Sequence, residues 1–234
     1  MALRSTENRW GGVNRTLHWL MAVLIIGAGC VGLYMADLPN SPQKIKIYAI
    51  HKSVGLTVLA LVLLRFVWRL ADRPPPDLPM PRWQQAAAHA THWVLYALML
   101  AIPLSGWLYN SASGYPLQWW WTVQMPSLTG GADADLKGFA HGAHFWLFWL
   151  LVLALLGHVG AALKHHFIDR DATLARMLPS VGDPTPRTVA PEPEPTPVAA
   201  PAPAPMMAEP ALPPAVASRE PAAPADPTSE PVEK

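Results

Sequence analysis

The chain has 234 residues, 51% of them hydrophobic and only 14% charged, with a formal net charge of +1. A soluble domain carries roughly 25% charged residues; here charge is nearly absent from four long windows, which excludes a soluble globular enzyme because too little polar surface remains to enclose so much apolar helix. Cys30 is the only cysteine, so disulfides, thiolate metal sites and covalent cofactor attachment through a CxxCH motif are excluded too, and no nucleic-acid partner is expected.

In chain order the windows are 16–35, 51–70, 88–109 and 144–163. Each supplies about the 20 mostly apolar residues that a helix rising 1.5 Å per residue needs to cross a bilayer. The first is too long for a cleaved leader and has Asn14, Arg15 and His18 at its start, so it is read as a retained span. The third reaches spanning length only when residues 86–91, ahead of Trp93, are counted, and its Pro103 and Gly106 permit a bend.

Short-loop charges set the expected topology. Arg4, Arg9 and Arg15 precede span one, Arg73 and Arg82 follow span two (whose last turns hold Arg65 and Arg69), and Lys164, Arg170 and Arg176 follow span four. The other side carries Lys44, Lys46 and Lys137. Both termini are therefore expected in the cytoplasm. Trp10, Trp19, Trp68, Trp83 and Trp93 mark that interface, with Trp107 and the run Trp119 to Trp121 at the other. From Pro179 onward, 56 residues hold 17 of the 27 prolines. Such a segment can neither build hydrogen-bond ladders nor bury aromatic surface, so 179–234 is expected to be an extended, disordered cytoplasmic tail after a membrane domain of residues 1–178.

The histidines fall at two depths. His18 lies near the inner end of span one and His51 near the outer end of span two; span four begins outside with His141 and His144 and reaches His158 fourteen residues later. That interval is about 21 Å and nearly four whole turns, so His144 and His158 share one helix face. His51 with His144 would form an outer layer, and His18 with His158 an inner one. Each pair could flank a haem iron standing between helices, and six-coordinate iron suits electron transfer. His89 and His92 are also at the inner level, and His141 stands one turn from His144, so a swapped ligand stays open. A zinc site would gather its ligands at one depth; a proton relay would want carboxylates, which the spans lack. A haem-free scaffold or transporter is the alternative from another class. Gly55, Gly157 and Gly160 would allow a flat ring to approach the backbone, though small residues also serve plain helix contact.

The stretches Arg15-Thr-Leu-His-Trp-Leu20, Ile50-His-Lys-Ser-Val-Gly-Leu56, Ala88-His-Ala-Thr-His-Trp-Val-Leu-Tyr96 and Ile102-Pro-Leu-Ser-Gly-Trp107 resemble the bacterial cytochrome b561 family. So do His158-Val-Gly-Ala-Ala-Leu-Lys-His-His-Phe167, Arg170-Asp and Arg176-Met-Leu-Pro179. The resemblance covers roughly residues 10–179 and excludes the tail. It implies an all-α integral membrane four-helix bundle in the bacterial inner membrane, with two haem b groups stacked across it. One would be held by His18 and His158, the other by His51 and His144, with His92 packing near a haem or bonding a propionate.

The resemblance further implies superoxide oxidase-like chemistry, in which superoxide gives an electron on the periplasmic side and ubiquinone is reduced on the cytoplasmic side. His165 matches a position implicated in the quinone site; Lys164 and His166 are further candidates. Lys44, Lys46, Lys52 and Lys137 would make a weakly positive outer mouth, partly offset by Asp133 and Asp135. Arg15, Arg65 and Arg69 could pair with inner propionates and Lys52 with outer ones, or all could snorkel to membrane lipid phosphate. A competing reading is a cytochrome b subunit relaying electrons between quinone and a dehydrogenase or periplasmic partner; a homodimer is also compatible.

Overall fold

The computed structural model describes residues 2–178; the proline-rich segment 179–234 lies outside the described residues. Four helices dominate: α1 (Gly12–Ala36), α2 (Pro42–Ala71), α3 (Arg82–Ala112) and α4 (Ala134–Lys164), the last continued by a π-helical turn, His165–Asp169. All four are long and apolar enough to cross a membrane. Between α3 and α4 an antiparallel hairpin pairs β1 (Leu117–Trp119) with β2 (Val123–Met125).

The helices overrun the apolar windows. α2 begins at Pro42, pre-set for the first helical position, behind a Ser41 hydroxyl that accepts from Lys44 N at 3.2 Å. α4 begins at Ala134, capped by Asp133, whose carboxylate accepts from Leu136 N at 2.9 Å. Polar caps and polar first turns extend helices through the headgroup layer, where hydropathy gives no signal. His51 and His144 are therefore not at helix ends, as the windows 51–70 and 144–163 imply. They lie nine residues past Pro42 and ten past Ala134.

Packing runs α1 on α2, α2 on α3 and α3 on α4. The buried apolar set is narrow, with Met21 and Val62 at 1% exposure and Leu98 at 4%, whereas Val23, Trp146 and Leu153 stand 67–70% exposed. Large apolar side chains facing outward are what a lipid solvent accommodates and water does not.

At the end where α1 starts and α2 finishes, a polar clasp gathers distant segments. Buried Asp72 accepts from Ser5 N (3.0 Å), Ser5 Oγ (2.7 Å) and Asn14 Nδ2 (2.6 Å). The Leu178 carbonyl accepts from Arg9 Nη2 (2.8 Å) and Arg15 Nη1 (3.0 Å), and Met177 O from Trp19 Nε1 (2.8 Å). Residues 3–5 cross so close to Gly11 that a Cβ there would collide with the Leu3 carbonyl oxygen. At the opposite end the hairpin lies on α2. Trp120 N donates to Ser53 Oγ, and the indoles of Trp119 and Trp120 both donate to Thr57 Oγ1, each at 3.0 Å. These bonds hold Trp120 and Trp121 in left-handed conformations (φ 50° and 59°) that bulky residues rarely adopt.

Candidate haem sites

The bundle brings four of the histidines together in two facing pairs. The ring centres of His51 and His144 are 6.2 Å apart with planes at 77°, and those of His18 and His158 are also 6.2 Å apart, with planes at 64°. Two imidazoles on opposite sides of one metal ion have their centres about 6.4 Å apart, from a metal–nitrogen bond of about 2 Å and about 1.2 Å from nitrogen to ring centre on each side. Both pairs therefore have the separation an intervening iron requires.

At the hairpin end the surroundings support the rings. A cavity of about 430 Å³, within the range of cofactor pockets, is lined by His51, Lys52, Tyr109, Asn110, His141 and His144 among others. His51 Nδ1 lies 3.1 Å from Ala28 O, and His144 Nδ1 lies 2.9 Å from Ile102 O and 3.1 Å from Ser105 Oγ. Because a carbonyl only accepts, each ring carries its proton on Nδ1 and leaves the Nε2 lone pair for a metal. A Cβ on Gly32 would sit 3.2 Å from His51 Cε1, and one on Gly106 would sit 3.1 Å from His144 Cε1. These two glycines give the imidazoles their room, while Gly157 and Gly160 face open space, with nothing within 4 Å of a Cβ there. Gly55 likewise meets nothing but borders the cavity. Opposed rings, free lone pairs and a cavity beside them fit a planar iron macrocycle.

The pair near the clasp is built differently. Arg65 Nη1 approaches His18 Nδ1 at 3.3 Å, while Arg65 Nε donates to the Tyr96 hydroxyl at 3.2 Å. A guanidinium only donates, so the contact at His18 Nδ1 has the opposite sense to those at His51 and His144 Nδ1, which face carbonyls. His92 is in this layer too, 5.5 Å from the His158 ring.

Other expected residues divide. His89 is exposed and 3.5 Å from Asp77, away from the His92–His158 contact, and His141 tilts against Tyr109 at 5.3 Å while His144 faces His51. Lys52 Nζ borders the cavity and donates to Asn110 Oδ1 at 3.0 Å. Arg15 does not share the position of Arg65 beside His18: it is buried in the clasp and donates to Leu178 O, because 177–178 fold back over the start of α1. Arg69 lies over the Trp10 ring, its guanidinium carbon 5.7 Å from the centroid.

At the C-terminal end of α4, His165 has partners not anticipated from the sequence. Its Nδ1 is 2.6 Å from Asp171 Oδ2 and 3.1 Å from Asp169 Oδ2, and Lys164 Nζ pairs with Asp169. Thr173 N donates to Asp171 Oδ1 at 2.8 Å. Burial pushes the Asp171 carboxyl up, but hydrogen bonds from Thr173 and His165, and the His165 charge, outweigh it and hold the group below the usual carboxylate range. The i, i+4 relation of His165 to Asp169 was legible in the sequence; the reach of Asp171 was not, since it needs the π-helical turn and Arg170 in a left-handed conformation.

Four membrane-crossing helices that carry stacked pairs of facing imidazoles define a multi-pass membrane electron-transfer protein. The chain belongs to the prokaryotic cytochrome b561 family, whose profile matches residues 9–180. It is 38% identical over 182 residues to cytochrome b561 homolog 2 of Escherichia coli (strain K12), a match covering 76% of this chain and 95% of that one. It is 32% identical over 166 residues to the probable superoxide oxidase CybB of Yersinia pestis (70% and 92% covered). To cytochrome b561 homolog 1 of Escherichia coli (strain K12) it is 28% identical over 174 residues (74% and 98% covered). Membership implies b-type haem, electron transport and a bacterial membrane.

Proposed function

We propose that the chain is a superoxide:ubiquinone oxidoreductase that holds two haem b groups, one between His51 and His144 and the other between His18 and His158. The observation that carries this reading is the equal 6.2 Å separation of both imidazole pairs. When bound, the two haems supply one-electron carriers at two levels of the membrane. His92 packs beside His158 and serves the inner group without ligating it.

The Arg-rich clasp end, which holds both Arg9 and Arg176, is the cytoplasmic one by the positive-inside rule, so both termini of the membrane domain lie there. The hairpin end then faces the periplasm. Lys52 and Lys137 border its cavity, and their charge draws an anionic donor inward at low ionic strength. The likeness to a probable superoxide oxidase supports superoxide as that donor.

At the cytoplasmic end His165 bonds an oxygen of the quinone, with Lys164 beside it. Nothing else is asked of these residues than to bind the headgroup and to hold or pass a proton at the His165 ring. Purified protein should reduce a short-chain ubiquinone when superoxide is generated enzymatically, and superoxide dismutase should abolish the reaction. Activity that appears only when a dehydrogenase or periplasmic cytochrome is added would replace this reading with that of a relay subunit.

A further inference from the structure

We propose that Asp171 is a positioning residue for quinone binding: it fixes the orientation and tautomer of His165 so that Nε2 is presented to the quinone oxygen. The proposal rests on the quinone reading of His165 and adds to it a residue outside the apolar spans.

The local backbone is shaped to make this contact. After Lys164 the helix widens into the π-helical turn His165–Asp169, and Arg170 then adopts φ 53° and ψ 34°, a left-handed conformation that costs a non-glycine residue about 1 kcal/mol or more. That turn returns the chain, so that Asp171 N donates to His165 O at 3.1 Å and the Asp171 side chain reaches His165 Nδ1 at 2.6 Å. Thr173 N locks the other carboxylate oxygen at 2.8 Å. A π-helical turn and a strained residue in succession are features that cluster at functional sites.

The chemistry of the pair determines the tautomer. The Asp171 carboxylate is held ionised by its hydrogen bonds and therefore only accepts. The proton it accepts sits on Nδ1 of His165. A neutral ring then offers a lone pair at Nε2 to a quinol hydroxyl, and a protonated ring offers an Nε2–H to a quinone carbonyl. Asp169 Oδ2, 3.1 Å from the same nitrogen, is engaged by Lys164, which leaves Asp171 as the closer and stronger partner. Arg176, whose guanidinium donates to Pro76 O at 2.8 Å, adds positive charge that favours the ionised Asp171.

The test uses the full-length, haem-loaded protein in detergent, chemically reduced and then mixed with ubiquinone-1, with haem reoxidation followed optically. Asp171→Asn keeps the side-chain size but replaces the carboxylate by a neutral amide that can turn either its oxygen or its NH2 to Nδ1, so a charged acceptor no longer holds the ring in one orientation. It should raise the half-saturating ubiquinone-1 concentration about tenfold, more than it lowers the maximal rate, with haem per chain unchanged. Asp171→Ala should move it in the same direction, and Asp171→Glu should recover most of the loss.

Half-saturation within about twofold of the parent in both the Asn and Ala variants, with haem retained, would overturn the proposal while leaving His165 as the quinone ligand. Loss of haem in both variants would also overturn it, since Asp171 would then serve the fold. If the parent itself shows no saturable reoxidation by ubiquinone-1, the quinone reading falls and this proposal with it.

Discussion

The imidazoles of His51 and His144 face one another at 6.2 Å across the hairpin end of the bundle, each with its Nδ1 bonded to a carbonyl of a neighbouring helix. Those carbonyls, Ala28 O on α1 and Ile102 O on α3, make two interhelical hydrogen bonds part of one candidate cofactor site. Removing a ring should therefore affect cofactor content before it affects folding.

Replacing either His51 or His158 by alanine should leave one b haem of the two expected per chain, as read by pyridine haemochrome content and the reduced absorption bands. An unchanged count in both variants would reject the ligand assignment, and a parent with no b-type bands would favour a haem-free scaffold or transporter.

Gly106→Ala places a methyl group 3.1 Å from His144 Cε1 and 3.3 Å from its Nδ1. Overpacking of this kind costs about 1–3 kcal/mol. The variant should release haem at a lower temperature and show a perturbed spectrum for one haem only. Gly27→Ala is the control, because nothing lies within 4 Å of a Cβ there. Equal haem retention in the two variants would show that ring clearance at Gly106 has no role.

Thr57→Val removes the single oxygen that accepts from the indole N–H groups of both Trp119 and Trp120. Each orphaned donor costs about 1–3 kcal/mol when shielded from water. With the left-handed Trp120 and Trp121 no longer held, the hairpin should detach from α2. Faster proteolysis between residues 117 and 125 is the expected signature; parent-like resistance would show that Ser53 alone retains it.

In the folded chain, hydrogen bonds from Thr173 and His165 outweigh burial and hold the Asp171 carboxyl below the usual carboxylate range. A depressed acid stabilises the fold above its unfolded pKa, and that contribution is lost as the pH falls through the folded value. The difference in thermal midpoint between the parent and Asp171→Asn should thus be constant near neutrality and shrink only at a pH below about 4. A gap that stays constant down to pH 3, or that opens on acidification, contradicts the assignment of direction.

Sequence reasoning recognised the four spans, the two-level arrangement of His18, His51, His144 and His158, and the family, because hydropathy and helical repeat are properties of one segment at a time. It left open the outcomes that depended on another segment. His141 and His144 are close neighbours by spacing alone, and only the packing of α2 on α3 and of α3 on α4 turns His144 toward His51 and His141 toward Tyr109.

Arg15 and Arg65 look alike in sequence as charges near one membrane face. Yet residues 177–178 fold back to claim Arg15, while Arg65 reaches His18. Gly32 and Gly106 carry no distinguishing pattern until the rings they accommodate arrive from other helices. Membrane class and candidate metal chemistry were written in one-dimensional periodicity. The partner of each side chain was decided by tertiary structure, because a hydrogen bond or ring contact depends on distances of a few ångströms between residues far apart in the chain.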